Sequence, residues 1–391
     1  MSAAFADVRS LYLHIPFCER KCEYCDFTSV AGATGSTAYM DALNAEVRHL
    51  GERLGRLSLD TVFIGGGTPS LVEPELLAGL VATVRDTFSV APGAEVTMEA
   101  NPSSITAARA RVWKAAGVNR ISIGVQSLEA DALRFLGRVH DAGRALAAIA
   151  EVRDAGFTSI NCDLIYAVPG LGDTRWRRTL ERVVAAGPTH ISCYELTVEP
   201  GTPLHTRVRR GLVTPVEGAR AMRQHRIAVE VLGGAGYAQY EVSNFAVAGE
   251  ECRHNLVYWH NGYYAAAGVG AHGHLPAAAA AAIGLEVEAG AVSVRHWHGR
   301  GIAAYGRAVR AGEFPITGSE PVGPGMREQE RVMLGLRLRE GVRLDGSSLD
   351  EARSLEGLGL LAVDGDRVRA TERGEALLNQ VTLRLVGDRA A

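Results

Sequence analysis

Leu11-Tyr-Leu-His-Ile-Pro-Phe-Cys18-Glu-Arg-Lys-Cys22-Glu-Tyr-Cys25 reads as a short β-strand that runs straight into a loop carrying three thiols. Leu11, Leu13 and Ile15 alternate with more polar residues, the period of a half-buried strand, and Pro16 ends it. The thiols follow as Cys-x3-Cys-x2-Cys. A [4Fe–4S] cluster takes one thiolate per iron, so three cysteines leave one iron open to a small chelating molecule. A structural zinc ion needs a fourth ligand, which His14 or Asp26 could supply. The polar run Glu19-Arg20-Lys21 argues against simple apolar packing of the loop. Cys162, Cys193 and Cys252 are scattered, so the six cysteines are not a disulfide framework.

Downstream, β-rich runs recur at Thr61–Ile64, Glu95–Glu99, Arg120–Val125, Ser159–Ile165 and His190–Leu196. Helical periodicity fills the gaps at Tyr39–Leu54, Pro74–Phe88, Ile105–Ala116, Asp141–Ala155 and Asp173–Ala186. Strands alternating with helices predict a parallel sheet, either an open doubly wound one or a barrel. A glycine or polar cluster ends every strand: Cys18–Cys25, Gly65–Ser70, Glu99–Pro102, Gln126-Ser127, Asp163–Gly170 and Tyr194-Glu195. A ring of strand-end loops is how β/α barrels build sites, whereas an open sheet concentrates them at one switch point. The expectation is therefore an α/β fold built on a partial (β/α)6 TIM-type barrel over residues 1–205.

Several of these clusters suit a ligand. Gly65-Gly66-Gly67-Thr68-Pro69 lacks side chains where backbone must approach a bound molecule closely. Glu99 offers a carboxylate to an ammonium group or a ribose, or to a neighbouring arginine. Gln126 and Asp163 can bond hydroxyls and ring nitrogens, and Arg138 can fork onto a carboxylate.

After Pro200 the alternation stops. Residues 206–325 form a connecting region with a helix expected at Val213–Leu232, a polar-aromatic strand at Tyr237–Asn244, and a stretch dense in aromatics and histidines at Cys252–His274. Residues 326–391 predict a small winged-helix-like α+β domain. Its parts are helices at Met326–Leu338 and Ser348–Leu355, a hairpin turning at Asp364-Gly365, and a helix at Thr371–Gln380 capped by Thr371. This domain carries 11 Arg, no Lys and 12 acidic residues, which argues against binding nucleic acid. The whole chain has a net charge of −3, with 47% hydrophobic and 22% charged residues, as in soluble globular proteins. No run approaches the roughly 18 apolar residues of a membrane span, and Met1–Ser10 lacks the pattern of a secretory signal. A cytoplasmic protein is expected.

The stretch His14–Cys25 resembles the signature of the HemN-like group of radical S-adenosylmethionine (SAM) proteins. That resemblance implies a [4Fe–4S] cluster on Cys18, Cys22 and Cys25. Its open iron would be chelated by the amino and carboxyl groups of SAM, and an electron donor would reduce it. In the resembling family Tyr12, Gly66, Gly67, Thr68, Glu99, Gln126, Arg138 and Asp163 match SAM-binding positions, with Tyr24 inside the cluster loop. The similarity continues through Pro200-Gly-Thr202 to Thr371-Glu-Arg-Gly374, so it spans nearly the whole chain.

Two features separate the subgroups. Oxygen-independent coproporphyrinogen III dehydrogenases carry a fourth cysteine where this chain has Phe27, as HemW-type haem chaperones do. His254-Asn-Leu-Val-Tyr258-Trp259 is similar to the His-Asn-x-x-Tyr-Trp motif of the HemW type, which that family links to haem binding. The resemblance thus implies haem as cargo, with His254, Tyr258 and Trp259 as candidates to hold it and Cys252, His260, His272 and His274 as rival ligands. It further implies respiratory haem proteins as acceptors, and it is compatible with a homodimer and with encounters at the inner face of the plasma membrane. Two enzymes are the alternatives, a coproporphyrinogen III dehydrogenase and a HemN-like radical SAM methylase. Phe27 weighs against the first.

Overall fold

The computed structural model describes residues 5–387; residues 1–4 of the N-terminal reading and 388–391 of the C-terminal one lie outside it. Six β/α units open the chain. They are β1 (Ser10–Ile15), α1 (Ser36–Leu54), β2 (Ser58–Gly66), α2 (Pro74–Thr87), β3 (Ser89–Ala100), α3 (Ala107–Ala116) and β4 (Arg120–Gln126). Then come α4 (Ala130–Leu136), α5 (Ala142–Asp154), β5 (Ser159–Tyr166), α6 (Asp173–Ala186) and β6 (His190–Glu195). The strands pair in parallel and in chain order, with Leu11 beside Val62, Val62 beside Val96, Met98 beside Ile121, Ile121 beside Ile160 and Cys162 beside Ile191. A doubly wound sheet would reverse its order at a switch point. Unbroken order winds the sheet one way, as in a partial barrel.

Alternation along each strand explains what the barrel holds. Leu11, Leu13, Val62, Ile64, Met98, Ile121, Ile123, Leu164 and Ile191 are buried in one large core against the helices. The opposite parity is Phe63, Glu99, Arg120, Ser122, Asn161, Asp163, His190 and Ser192, and these residues line a cavity of about 720 Å³. Most TIM barrels pack this interior with branched apolar side chains; polar residues here keep it open.

The connecting region completes the sheet. After α7 (Pro203–Arg209) and α8 (Gly218–Gly234) come β7 (Ala238–Gln239), β8 (Asn244–Ala246), α9 (Arg253–Trp259) and β9 (Ala265–Ala267). β9 adds parallel to β1, whereas β8 adds antiparallel to β6. α8 starts only past Pro215, because proline disfavours helical backbone in the residue before it. The strand expected over Tyr237–Asn244 divides, because Glu241 bridges to Leu338 of the C-terminal unit instead of continuing the ladder. A three-stranded sheet of β10 (His272–Pro276), β11 (Ser293–His298) and β12 (Ile316–Val322) follows, with α10 (Ala277–Ala282) and α11 (Ile302–Arg310).

A second core gathers Val332, Leu336, Val342, Ala352, Leu355, Leu361, Val368, Val381 and Leu385. It is built from α12 (Pro324–Gly335), β13 (Val342–Arg343), α13 (Gly346–Gly357) and the hairpin β14 (Leu361–Asp364) and β15 (Arg367–Ala370). Thr371 Oγ1 accepts from the Gly374 N–H at 3.1 Å, the expected cap. The helix it caps is only Glu372–Glu375, and a separate helix runs over Leu378–Val386. Gly374 packs so tightly on the hairpin that a Cβ there would lie 1.9 Å from the Leu360 carbonyl oxygen, so the first turn is pinned while the rest turns away.

Trp176 shows what closes the barrel's outer layer. It is fully buried on α6, and its Nε1–H donates to the Gln224 carbonyl of α8 at 2.8 Å. Trp176→Ala is expected to lower the unfolding free energy by about 3–5 kcal/mol, the range for deleting a buried tryptophan. A urea midpoint unchanged from the parent protein would contradict this packing.

Candidate functional site

The cysteine loop is tied back onto β1 and β2 by backbone. Val30 N–H donates to the Pro16 carbonyl and Gly32 N–H to the Cys18 carbonyl, both at 2.8 Å, so the loop leaves and returns beside itself. From β2, Gly67 N–H donates to Ile15 at 2.8 Å and Thr68 N–H to Phe17 at 2.7 Å. A Cβ on Gly67 would lie 2.7 Å from the Phe17 carbonyl oxygen, so only glycine allows this approach. His14 fastens the far side, with Nε2 2.7 Å from the Thr28 carbonyl oxygen and Nδ1 3.0 Å from the Tyr12 hydroxyl. The carbonyl accepts only, so Nε2 carries the proton and Nδ1 accepts from Tyr12. Burial pushes the His14 pKa down to about 4, which keeps that neutral tautomer.

Cys18, Cys22 and Cys25 are half-buried, form no disulfide, and line this cavity. Thr68 Oγ1 lies 3.7 Å from Cys18 Sγ, and Arg138 Nη1 lies 3.5 Å from Cys22 Sγ. Burial raises the Cys25 thiol to about 11, so a metal that takes it as thiolate releases its proton. Among the described residues no three His, Cys, Asp or Glu side chains converge as a single metal ion requires. A cluster binds each thiolate through a different iron, so the same three sulfurs fit it without convergence.

Opposite the cysteines stand the strand-end residues. Gly66 N–H donates to Glu99 Oε2 at 2.9 Å. Burial first, then the negative charge of Asp163, pushes the Glu99 pKa up to about 7 against the pull of that N–H. Asp163 accepts from Ser122 Oγ at 2.9 Å and Asn161 Nδ2 at 2.8 Å, while burial still raises its pKa. Gln126 sits at φ 63°, a left-handed conformation that non-glycine residues rarely hold and that marks strained, functional positions. Gly66, Gly67, Thr68, Glu99, Gln126, Arg138, Asp163 and Tyr24 all line the cavity. Tyr12 does not: it is stacked behind the wall on Phe63, ring centroids 6.2 Å apart. Arg138 does not reach freely into the cavity, because Nη2 donates to the Gly124 carbonyl at 2.8 Å while Nη1 faces Cys22.

Glu99 gives a pH prediction. Its folded pKa near 7 exceeds the ordinary carboxyl value of 4.5. The protonated form therefore supports the fold fully below the ordinary value, and that support is lost as pH rises through about 7. Glu99→Gln is expected to melt close to the wild type at pH 5 and above it at pH 8, without ligand. A difference independent of pH would contradict the assignment.

The floor of the barrel is a finding the sequence did not announce. Glu95 of β3 accepts the N–H groups of Arg253 at 2.9 Å and His254 at 3.1 Å, which caps α9 with a carboxylate. α9 thereby plugs the barrel, and Asn255 lines the cavity from below. His254 is fully buried. Thr61 Oγ1 donates to Ser10 Oγ at 2.9 Å and so accepts from His254 Nδ1 at 2.7 Å. Nε2, left with its lone pair, accepts from the Tyr258 hydroxyl at 2.8 Å. Burial lowers the His254 pKa to about 3. No nitrogen of His254 is open to an iron, and Tyr258 is wedged edge-on between His254 and Tyr264 instead of offering a face to a macrocycle. Neither they nor Trp259 line the cavity. Arg120 was also missed; fully buried at the start of β4, it is among the residues that line the cavity.

The Radical SAM superfamily model matches residues 12–183. The heme chaperone HemW of Mycobacterium tuberculosis (strain H37Rv) is 40% identical over 385 residues, covering 96% of this chain and 94% of that protein. The heme chaperone HemW of Bacillus subtilis (strain 168) is 31% identical, covering 97% and 100%. The mitochondrial radical S-adenosyl methionine domain-containing protein 1 of Bos taurus is 32% identical, covering 96% and 87%. Among solved structures, coproporphyrinogen III oxidase (HemN) from Escherichia coli superposes with a TM-score of 0.79 at 21% identity, over 99% of this chain and 92% of that one. This last likeness is one of fold. No helix among the described residues is long and apolar enough to cross a membrane.

Proposed function

The chain belongs to the HemW heme-chaperone family within the radical SAM superfamily, and from that membership we propose that it is a [4Fe–4S]- and SAM-binding protein that carries haem to respiratory haem proteins. The observation that supports the cofactor reading most is one cavity shared by three cysteines, the Gly66-Gly67-Thr68 loop, and the Glu99 and Asp163 carboxylates. Cys18, Cys22 and Cys25 would hold the cluster. With the cluster bound, these residues would present an open iron to the methionine end of SAM, and the chemistry supplied would be one electron on reduction.

The chain's own residues do the rest. Gly66 and Gly67 let their turn pack onto His14 and the Pro16-Phe17 backbone, where a Cβ would clash, and so hold its backbone at the ligand. Glu99 accepts a hydrogen bond from an ammonium or hydroxyl and gains from ionising when a cation sits beside it. Asp163, already oriented by Ser122 and Asn161, holds a hydroxyl pair or a ring N–H. Arg138 balances the Cys22 thiolate instead of binding the ligand carboxylate. Phe27, 59% exposed at the cavity mouth, stands where a dehydrogenase carries its extra cysteine. It supports a chaperone over that enzyme.

Haem and SAM titrations of the anaerobically reconstituted protein test this reading. Saturable binding of both, with Glu99→Ala weakening SAM at least tenfold and leaving haem unchanged, is expected. Haem that fails to bind would remove the chaperone reading.

A further inference from the structure

Arg120 is a charged group in the cavity that the SAM candidates leave unused. It is 3% exposed and lines the cavity from β4. It lies two residues before Ser122, which pairs with Glu99, so its backbone sits about 7 Å deeper along the strand. Its Nε and Nη2 are buried without a hydrogen-bond partner, and Arg120 forms no ion pair among the described residues. Nη1 is not among the sealed atoms, so it is the nitrogen that meets the cavity.

Glu95 and Asp163 are near enough for their charge to act on Arg120, but both are committed elsewhere. Glu95 spends one oxygen on the Arg253 N–H and the other on the His254 N–H. Asp163 spends one on Asn161 and the other on Ser122. A buried guanidinium left in this way is costly until something in the cavity bonds to it. A second donor stands close by. The Cys252 sulfur accepts the Asn255 N–H and lies within electrostatic reach of Arg120. Asn255 lines the cavity, is only partly buried, and its side-chain amide has no hydrogen-bond partner among the described residues. His190, which also lines the cavity, is already engaged by Asn161 at 2.6 Å and Tyr240 at 2.8 Å. The cavity is therefore polarised, with carboxylates at the strand ends and a guanidinium and an amide at the floor. Two donors suit a group with two oxygens and one negative charge. A dianion would be opposed by Glu95 and Asp163.

We propose that the floor of the barrel is a second binding site, for the carboxylate of a small organic acid: Arg120 Nη1 pairs with one oxygen and the Asn255 amide donates to the other. The site uses none of the residues assigned to SAM and does not depend on the haem-chaperone reading. It also divides the His-Asn motif between two tasks. His254, bonded to Thr61 and Tyr258, fixes α9 in the barrel, and Asn255 offers its amide to the ligand.

Propionate titrated into the reconstituted full-length protein, followed by saturation-transfer NMR, tests it, with propionamide and inorganic phosphate as comparison probes. The wild type should bind propionate saturably, with a dissociation constant of about 1 mM, and neither comparison probe should compete at equal concentration. Arg120→Met is expected to weaken binding at least tenfold. Without ligand it should melt no lower than the wild type, because the guanidinium has no partner to lose. Asn255→Ala should weaken propionate several-fold and leave SAM affinity unchanged. A wild type that does not bind propionate, or that binds propionamide or phosphate as tightly, overturns the proposal. So does an Arg120→Met protein that melts far below the wild type, which would make the arginine a structural partner of Glu95. None of these results bears on haem binding.

Discussion

Serine at any one of positions 18, 22 or 25 is expected to abolish cluster assembly. After anaerobic reconstitution the wild type should hold about four irons and four sulfides per chain, and each serine variant close to none. A serine hydroxyl does not ionise near neutral pH and binds iron poorly, and two remaining thiolates cannot anchor four irons. The loop itself should survive the change. It is held by backbone bonds such as Val30 to Pro16 and Thr68 to Phe17, none of which uses a sulfur. Unchanged far-ultraviolet circular dichroism beside lost iron is therefore the expected pair of results. Cys162→Ser and Cys193→Ser supply the control, because both thiols lie in the apolar core and line no site. Full iron content in a Cys22→Ser protein, or stoichiometric zinc without sulfide in the wild type, would refute the cluster.

Gly67→Ala should have the next largest effect. The new Cβ would meet the Pro16 carbonyl carbon and the Phe17 carbonyl oxygen, each at 2.7 Å, and these are backbone atoms that cannot swing aside. Relief requires the Gly66-Gly67-Thr68 turn to lift from the cysteine loop. That would break the Thr68 N–H bond to Phe17 and move the Thr68 hydroxyl away from Cys18. SAM affinity, read by equilibrium dialysis, is expected to fall by more than tenfold, a cost of over about 1.4 kcal/mol. Iron content should fall less, because the cysteines keep their own bonds. Gly79→Ala, on the exposed side of α2 with open space around it, should leave both quantities unchanged. Wild-type SAM affinity in Gly67→Ala would show that the ligand does not depend on this turn.

How much of this could be read from residues alone follows from where the signals are local. The period-2 runs from Leu11 to Leu196 gave the barrel strands, because a strand in a parallel sheet carries its own pattern of apolar residues packed against helices. β9 escaped, since Ala265–Ala267 is small and carries no β-branched signature, and its place beside β1 is set by tertiary pairing. The divided strand at Tyr237–Asn244 and the split helix after Thr371 failed because tertiary contacts decide them: Leu338, far along the chain, and Leu360, across the hairpin. Of the strand-end residues singled out as ligand contacts, Gly66, Gly67, Thr68, Glu99, Gln126 and Asp163 do line one cavity. Tyr12, which the resemblance places among the SAM-binding positions, does not line the cavity and stacks on Phe63, because alternation fixes which face a residue takes but not what lies in front of it. His254 carries the opposite lesson. A histidine among aromatics looks like a ligand in sequence, yet Thr61 and Tyr258 occupy both of its nitrogens. Thr61 is 193 residues away and carries no mark of the contact.

A radical SAM scaffold that serves to carry haem should bind haem and leave coproporphyrinogen III unchanged. One anaerobic experiment tests it most directly: the reconstituted protein is incubated with SAM, a reductant and coproporphyrinogen III while a parallel sample is titrated with haem. Stoichiometric haem binding and no protoporphyrinogen formation are expected. Decarboxylation of coproporphyrinogen III at ordinary turnover, with no stoichiometric haem bound, would contradict it and make the chain a dehydrogenase despite Phe27.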